Sequence, residues 1–119
     1  MNRERKLIYF KNYFKEFFDS QSEKVKEKID YVLFLVIVAE QIPKKFFQSL
    51  TGYEGLFEIR IEVGSNIYRI FCCFDEGNLV VLFNGLIYKK TQKTPKKELE
   101  KAMKIKNEYF NLKQKENKL

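Results

Sequence analysis

Histidine and tryptophan are absent from the 119 residues, and there are only two cysteines, two prolines and five glycines. Without histidine the chain has no imidazole to move protons near neutral pH and none to ligate a metal. Two cysteines cannot supply a disulfide framework or a zinc ribbon. No apolar run reaches the ~18 to 20 residues that crossing a bilayer requires, so no membrane-spanning segment is predicted. The opening Met1-Asn2-Arg3-Glu4-Arg5-Lys6 leads into mixed polar sequence with no apolar signal core, which predicts a cytoplasmic protein.

What is present describes one globular domain over residues 1–119: 45% of residues are hydrophobic and 33% charged. The net charge of +7 is unevenly placed. Residues 1–85 carry 12 basic and 12 acidic side chains, whereas residues 86–119 carry 11 Lys against 4 Glu. Basicity concentrated in this way suits a polyanion such as nucleic acid; a lysine-rich solvated helix is the plainer explanation.

Leu7-Ile8-Tyr9-Phe10 reads as a first strand. Tyr13, Phe14, Phe17 and Phe18 then recur at helical spacing. Ser20-Gln21-Ser22-Glu23 fits a capping box, with the Ser20 hydroxyl accepting from the Glu23 amide, and predicts a second helix over about 21–40. Val25, Ile29, Val32 and Val36 form its buried stripe, while residues 31–39 are apolar all round. So apolar a helix predicts cover from a partner or from a second copy of the chain. After a loop around Pro43 and Gly52, a three-strand meander is expected over 56–63, 67–74 and 79–83. In its first strand Phe57, Ile59, Ile61 and Val63 face a core, and Glu58, Arg60 and Glu62 face the other way. A polar loop, Tyr88-Lys89-Lys90-Thr91-Gln92-Lys93-Thr94, precedes a third helix opened by Thr94 as N-cap and Pro95 as first residue, with a frayed tail over about 113–119. The fold class is therefore α+β: a small, mainly antiparallel sheet of about four strands, with two N-terminal helices packed on it and a C-terminal helix.

Arg69 stands in an otherwise apolar strand, where an unpaired charge costs several kcal/mol to bury. It answers to a salt bridge with Glu58 or Glu62 on the next strand, or to a guanidinium at the floor of a groove that takes phosphate. Arg60 points to the same face, and two arginines exceed what one structural ion pair needs. Lys89, Lys90 and Lys93 precede a helix N-terminus, where point charges and free amides both favour anions. Cys72 and Cys73 project to opposite faces of their strand as buried small hydrophobes. Most aromatic residues fall at core spacing; Tyr88, beside the lysine pair, is the exception.

These residues carry a resemblance. Leu56-Phe57-Glu58-Ile59-Arg60-Ile61, Tyr68-Arg69-Ile70-Phe71, Asn84-Gly85 and Lys89-Lys90-Thr91-Gln92-Lys93-Thr94-Pro95, in that order behind a strand and two helices, resemble the RelE/ParE superfamily. The match is strongest to the HigB-like, phage-derived branch of type II toxin–antitoxin toxins, and runs from about Leu7 to Tyr109. The resemblance implies a ribosome-dependent mRNA endonuclease, without metal or cofactor, that is neutralised by a small antitoxin, often a helix-turn-helix protein. It places Arg60 and Arg69 in the groove that holds the scissile phosphate and Lys89, Lys90 and Lys93 in the loop lining it. Tyr88, Lys96 and Lys97 are the further expected RNA contacts.

Cleavage of RNA by its own 2′-hydroxyl needs a base, charge stabilisation at phosphorus and a proton for the leaving oxygen. Lacking histidine, the chain must take its base from a carboxylate, a tyrosine or a lysine of lowered pKa. Glu58 or a loop lysine is the expected base, with Arg60, Arg69 and Lys90 as the electrostatic groups. The same superfamily includes ParE-like toxins that poison gyrase by binding, and a non-catalytic binding module is a third reading; fold alone does not separate them.

Overall fold

The computed structural model describes residues 4–117. Its elements are β1 (Lys6–Tyr9), α1 (Tyr13–Asp19), α2 (Glu23–Val38), β2 (Phe47–Ser49), β3 (Phe57–Val63), β4 (Asn66–Phe74), β5 (Leu79–Lys89) and α3 (Lys96–Asn117). The strands form one mixed sheet in the order β1-β5-β4-β3-β2. Strands β2 to β5 pair antiparallel, whereas β1 lies parallel to β5, with Lys6 opposite Leu79 and Tyr9 opposite Leu82. The class is the α+β arrangement expected, with five strands instead of about four. The extra one, β2, falls in the segment read as loop: three residues are too few to show alternation. Its Phe47 ring stacks on Phe57 with centroids 5.3 Å apart, which fixes it to the sheet edge.

Alternation along the strands divides the core in two. Ile59, Ile61, Ile70, Cys72, Val80 and Leu82 face α1 and α2, and Phe71, Cys73, Val81 and Phe83 face α3. The two cysteines therefore serve separate cores, as expected. Burial pushes both thiols up, Cys73 to about 12, so they pack as neutral small hydrophobes.

Helix α2 buries Val25, Ile29, Val32 and Val36 as predicted, and leaves Tyr31, Phe34 and Val38 exposed as a second stripe. Its cap differs from the expected box. Ser22, not Ser20, accepts from the Val25 amide at 3.3 Å, because Ser20 already donates its hydroxyl to the Phe17 carbonyl at the end of α1. The far end of α2 has no glycine. Arg5 caps it instead, donating from its guanidinium to the carbonyls of Val36, Ala39 and Glu40. No helix among the described residues is long and apolar enough to cross a membrane.

Strand β5 continues beyond the expected end at Phe83 to Lys89. A register shift opposite Ile70 and Cys72 admits Asn84 and pairs Gly85 with Ile70. Gly85 is needed there, since a Cβ at this position would lie 2.3 Å from the Phe17 ring. Helix α3 starts at Lys96, one residue after the expected start, and the Thr94 hydroxyl makes no hydrogen bond. The Pro95 carbonyl accepts from the Glu98 and Leu99 amides instead. Helix α3 runs to Asn117, and residues 118–119 of the expected frayed tail lie outside the described residues; Asp75 in the β4–β5 turn accepts from Tyr109 at 2.5 Å and Lys113 at 2.7 Å. Burial alone would raise the Asp75 carboxyl, but the bonds from Lys113, Tyr109 and the Glu76 amide outweigh it and hold the pKa below the usual value.

Two outcomes follow for stability. Gly85→Ala should cost about 1–3 kcal/mol in urea denaturation through overpacking on Phe17, and adding Phe17→Leu should recover part of it. Asp75 is depressed in the folded state, so its contribution is complete above the unfolded carboxylate value of ~3.9 and disappears as pH falls through the lower folded value. Asp75→Asn should lower Tm at pH 7 and remove that part of the acid-side decline, measured by thermal melts from pH 7 to pH 2.

Candidate nucleic-acid interface

On the face turned towards α3, cross-strand neighbours line up in rows. Glu62, Ile67 and Tyr88 form one row; Arg60, Arg69 and Leu86 form the next; Glu58 lies opposite Phe71 in the third. The pleat thus presents Glu58, Arg60 and Glu62 along β3 and sets Arg69 directly across from Arg60. Like charges so placed repel, and a carboxylate beside each arginine offsets this. Glu58 Oε2 is 2.7 Å from Arg69 Nη1, an ion pair without hydrogen-bond alignment. Glu62 Oε1 is 3.4 Å from Arg60 Nη2, and its other oxygen is 3.2 Å from Lys90 Nζ. Underneath, the Tyr88 ring supports the Arg69 guanidinium at 4.4 Å from the ring centroid.

The cluster grades from floor to mouth: side-chain exposure is 3% at Glu58, 14% at Arg69, 27% at Arg60 and 48% at Lys90 and Glu62. Its hydrogen-bonding capacity is incompletely satisfied. Arg60 Nε, Arg69 Nε and the Tyr88 hydroxyl are buried without a partner. Such orphaned donors are uncommon in folded proteins and mark places where a ligand can complete the network. Burial raises the Glu58 carboxyl above its ordinary value; the charges of Arg69 and Arg60 pull it back without cancelling the effect. Burial likewise lowers Arg69 from its usual value, with Glu58 opposing the shift, and the guanidinium remains charged. Three cations face two carboxylates here, so an incoming anion meets a net positive site.

The structure brings Glu58, Arg60, Arg69, Tyr88 and Lys90 together. Tyr88 is not the exposed loop residue expected: it lies on β5, is 6% exposed and supports Arg69 from below. Lys89 is also in β5, and alternation turns it away from Tyr88 to the opposite face. Lys93, Lys96 and Lys97 are exposed on the loop and the first turn of α3. Two further residues matter. Glu62 bridges Arg60 and Lys90; the alternation Glu58-x-Arg60-x-Glu62 was its signal in the sequence. Gln92 folds the loop back, its side chain accepting from the Lys89 amide at 3.0 Å and its own amide donating to the Lys89 carbonyl; no sequence pattern announced this. Among the described residues no group of three metal-ligating side chains occurs.

The fold and this face define an α+β protein whose sheet carries a partly buried cluster of two arginines, a lysine and two glutamates. Residues 16–107 match the family of phage-derived Gp49-like proteins, and the chain belongs to that family. This agrees with the phage-derived character of the resemblance carried by the sequence. No curated protein matches the chain significantly. Similar solved structures include the RelB–RelE antitoxin–toxin complex from Methanococcus jannaschii, with 17% identity and TM-score 0.49 over 66% of this chain and 87% of that one. The archaeal RelE–RelB complex from Pyrococcus horikoshii OT3 has 15% identity and TM-score 0.48 over 78% and 100%.

Arg69→Met should cost about 3–5 kcal/mol at pH 7 by stranding the Glu58 carboxylate, while Glu58→Leu/Arg69→Met should recover most of that loss. Glu58 titrates high in the folded state, so its ionised form counts against folding as pH rises through the folded value, and acid relieves it. The Arg69→Met deficit should therefore shrink between pH 7 and pH 4 in chemical denaturation; a deficit independent of pH would contradict the pairing.

Proposed function

We propose that this protein is the toxin of a type II toxin–antitoxin pair, of the HigB-like kind, and that it cleaves mRNA on the ribosome in the cytoplasm. The observation that carries the reading is the Arg60–Arg69 pair, set directly across from each other with Arg69 over Tyr88, with unsatisfied donors and with Lys90 at the mouth. Planar guanidinium groups with free N–H donors match the oxygens of a phosphodiester, and preorganised charge is the largest contribution such a site can make. Lys93, Lys96 and Lys97 extend the positive surface along the loop and α3, where they meet the RNA backbone. A small antitoxin of the helix-turn-helix kind is the proposed protein partner. The exposed Tyr31, Phe34 and Val38 stripe is apolar surface left for a protein contact, including one with a second copy.

In this mechanism the 2′-oxygen attacks phosphorus and the bond to the 5′-oxygen breaks, leaving a 2′,3′-cyclic phosphate and a 5′-hydroxyl. Arg60 and Arg69 stabilise the negative charge on the non-bridging oxygens. When Arg69 turns to the phosphate, Glu58 loses its cation and takes the 2′-hydroxyl proton; its raised pKa suits it to that task. Lys90 returns a proton to the leaving oxygen. Burial of Glu58 supports the same choice of base, because a desolvated carboxylate is the stronger proton acceptor.

Arg60→Ala and Arg69→Ala should each lower cleavage of mRNA on translating ribosomes by about 10²–10³-fold, read by primer extension with variants shown to be folded. The acid limb of the wild-type pH–rate profile should lie above the ordinary glutamate value of ~4.3. Undiminished cleavage by the folded arginine variants, or inhibition of gyrase supercoiling in place of transcript cleavage, would overturn the proposal.

A further inference from the structure

Glu62 is the one member of the arginine face whose role the cleavage scheme leaves open. Its two carboxylate oxygens are directed at different cations, one 3.4 Å from Arg60 Nη2 and the other 3.2 Å from Lys90 Nζ. A phosphate diester also offers two non-bridging oxygens carrying one negative charge, so the Glu62 carboxylate has the charge and the bidentate form of the ligand. We infer that Glu62 is a tethered stand-in for a phosphate, and that Arg60, Lys90 and Glu62 mark a second phosphate subsite beside the Arg69–Glu58 floor. The inference rests on the RNA-cleaving reading of this face and adds to it where the neighbouring phosphate of the strand is held.

Three features favour this over an ordinary surface ion pair. The subsite adjoins an unsatisfied one: Arg60 Nε is buried and has no partner even with Glu62 in place. The bridge is weak, since both Glu62 and Lys90 are half exposed, and exposed ion pairs contribute little. A second carboxylate is already committed at Glu58, so Glu62 is not needed to neutralise Arg69. Lys90 is also well placed to change partners. Its backbone amide is anchored to the Ser65 carbonyl at 3.2 Å, so the side chain can swing while the loop stays docked.

A tethered competitor sets what can bind. An isolated anion must displace a carboxylate that is present at the high effective concentration of an intramolecular group. A polynucleotide holds one phosphate at Arg69, and the next arrives tethered as well, so it displaces Glu62 on equal terms. Glu62 thereby selects a nucleic-acid strand over inorganic phosphate or a mononucleotide, by penalising the wrong ligand as much as by favouring the right one.

The test uses the full chain and a single-stranded RNA decamer with 2′-O-methyl groups, which binds without being cut, followed by fluorescence anisotropy across a KCl series. Glu76→Gln serves as the control, because it makes the same change of net charge at the β4–β5 turn, at the other end of β4. Glu62→Gln should bind the decamer roughly three- to tenfold more tightly than Glu76→Gln, as expected for the release of two weak exposed pairs. Its salt dependence should steepen by a part of the ~0.7 that one phosphate neutralised on a single strand contributes, because in the wild type Glu62 and the strand share the subsite. The gain should vanish when Arg60→Ala and Lys90→Ala are added, and only Glu62→Gln should acquire measurable affinity for inorganic phosphate. A gain no larger than that of Glu76→Gln, or one that survives loss of Arg60 and Lys90, would overturn the inference. If the variants lacking Arg60, Arg69 and Lys90 bound the decamer as well as the wild type, the RNA-cleaving reading itself would fall.

Discussion

Two guanidinium groups set opposite each other on adjacent strands repel, and Arg60 and Arg69 remain so placed because a carboxylate stands beside each of them. Much of the surrounding architecture serves that arrangement. The β3–β4 register aligns the rows, and β5 extends far enough to slide Tyr88 under Arg69. That extension depends on the bulge at Asn84 and on a glycine that lets α1 approach closely. The core on the α1/α2 side therefore determines, through Gly85, where a tyrosine on the opposite face comes to rest.

The electrostatic state of the face is a balance between burial and pairing. Glu58 is deep enough for burial to raise its pKa, yet close enough to Arg69 to remain ion-paired. A fully exposed carboxylate would keep its ordinary pKa, and a fully neutralised one would give Arg69 nothing to pair with. The gradient from Glu58 to Lys90 gives one cluster a buried, closely paired floor and a half-exposed, loosely paired mouth.

Much of this was legible in the sequence because strands with one polar face expose their pattern. The alternation from Phe57 to Val63 and the lone Arg69 in β4 set Glu58, Arg60, Glu62 and Arg69 on one face of the sheet, as the structure has them. The limits of that reading are equally physical. Ser20 and Ser22 both lie three residues ahead of a possible amide partner, and only the end of α1 decides that Ser20 is engaged elsewhere. A three-residue strand such as β2 has no period to detect. Tyr88 looked like a loop residue because the Lys pair beside it is polar, while its burial depends on a strand that continues through Asn84-Gly85. The anchoring of α3 by Asp75 is a contact between residues 34 and 38 positions apart, beyond any local pattern.

The parallel pairing of β1 with β5 has a consequence for how the chain is made. Lys6–Tyr9 are made more than seventy residues ahead of their partners at Leu79–Leu82. Contacts so distant in sequence form late and make folding slow. Tyr88 and Lys90 come later still, so a growing chain carries its two arginines without the ring beneath Arg69 or the lysine beside Glu62. The cluster is therefore completed only once β5 and the loop that follows it have been made.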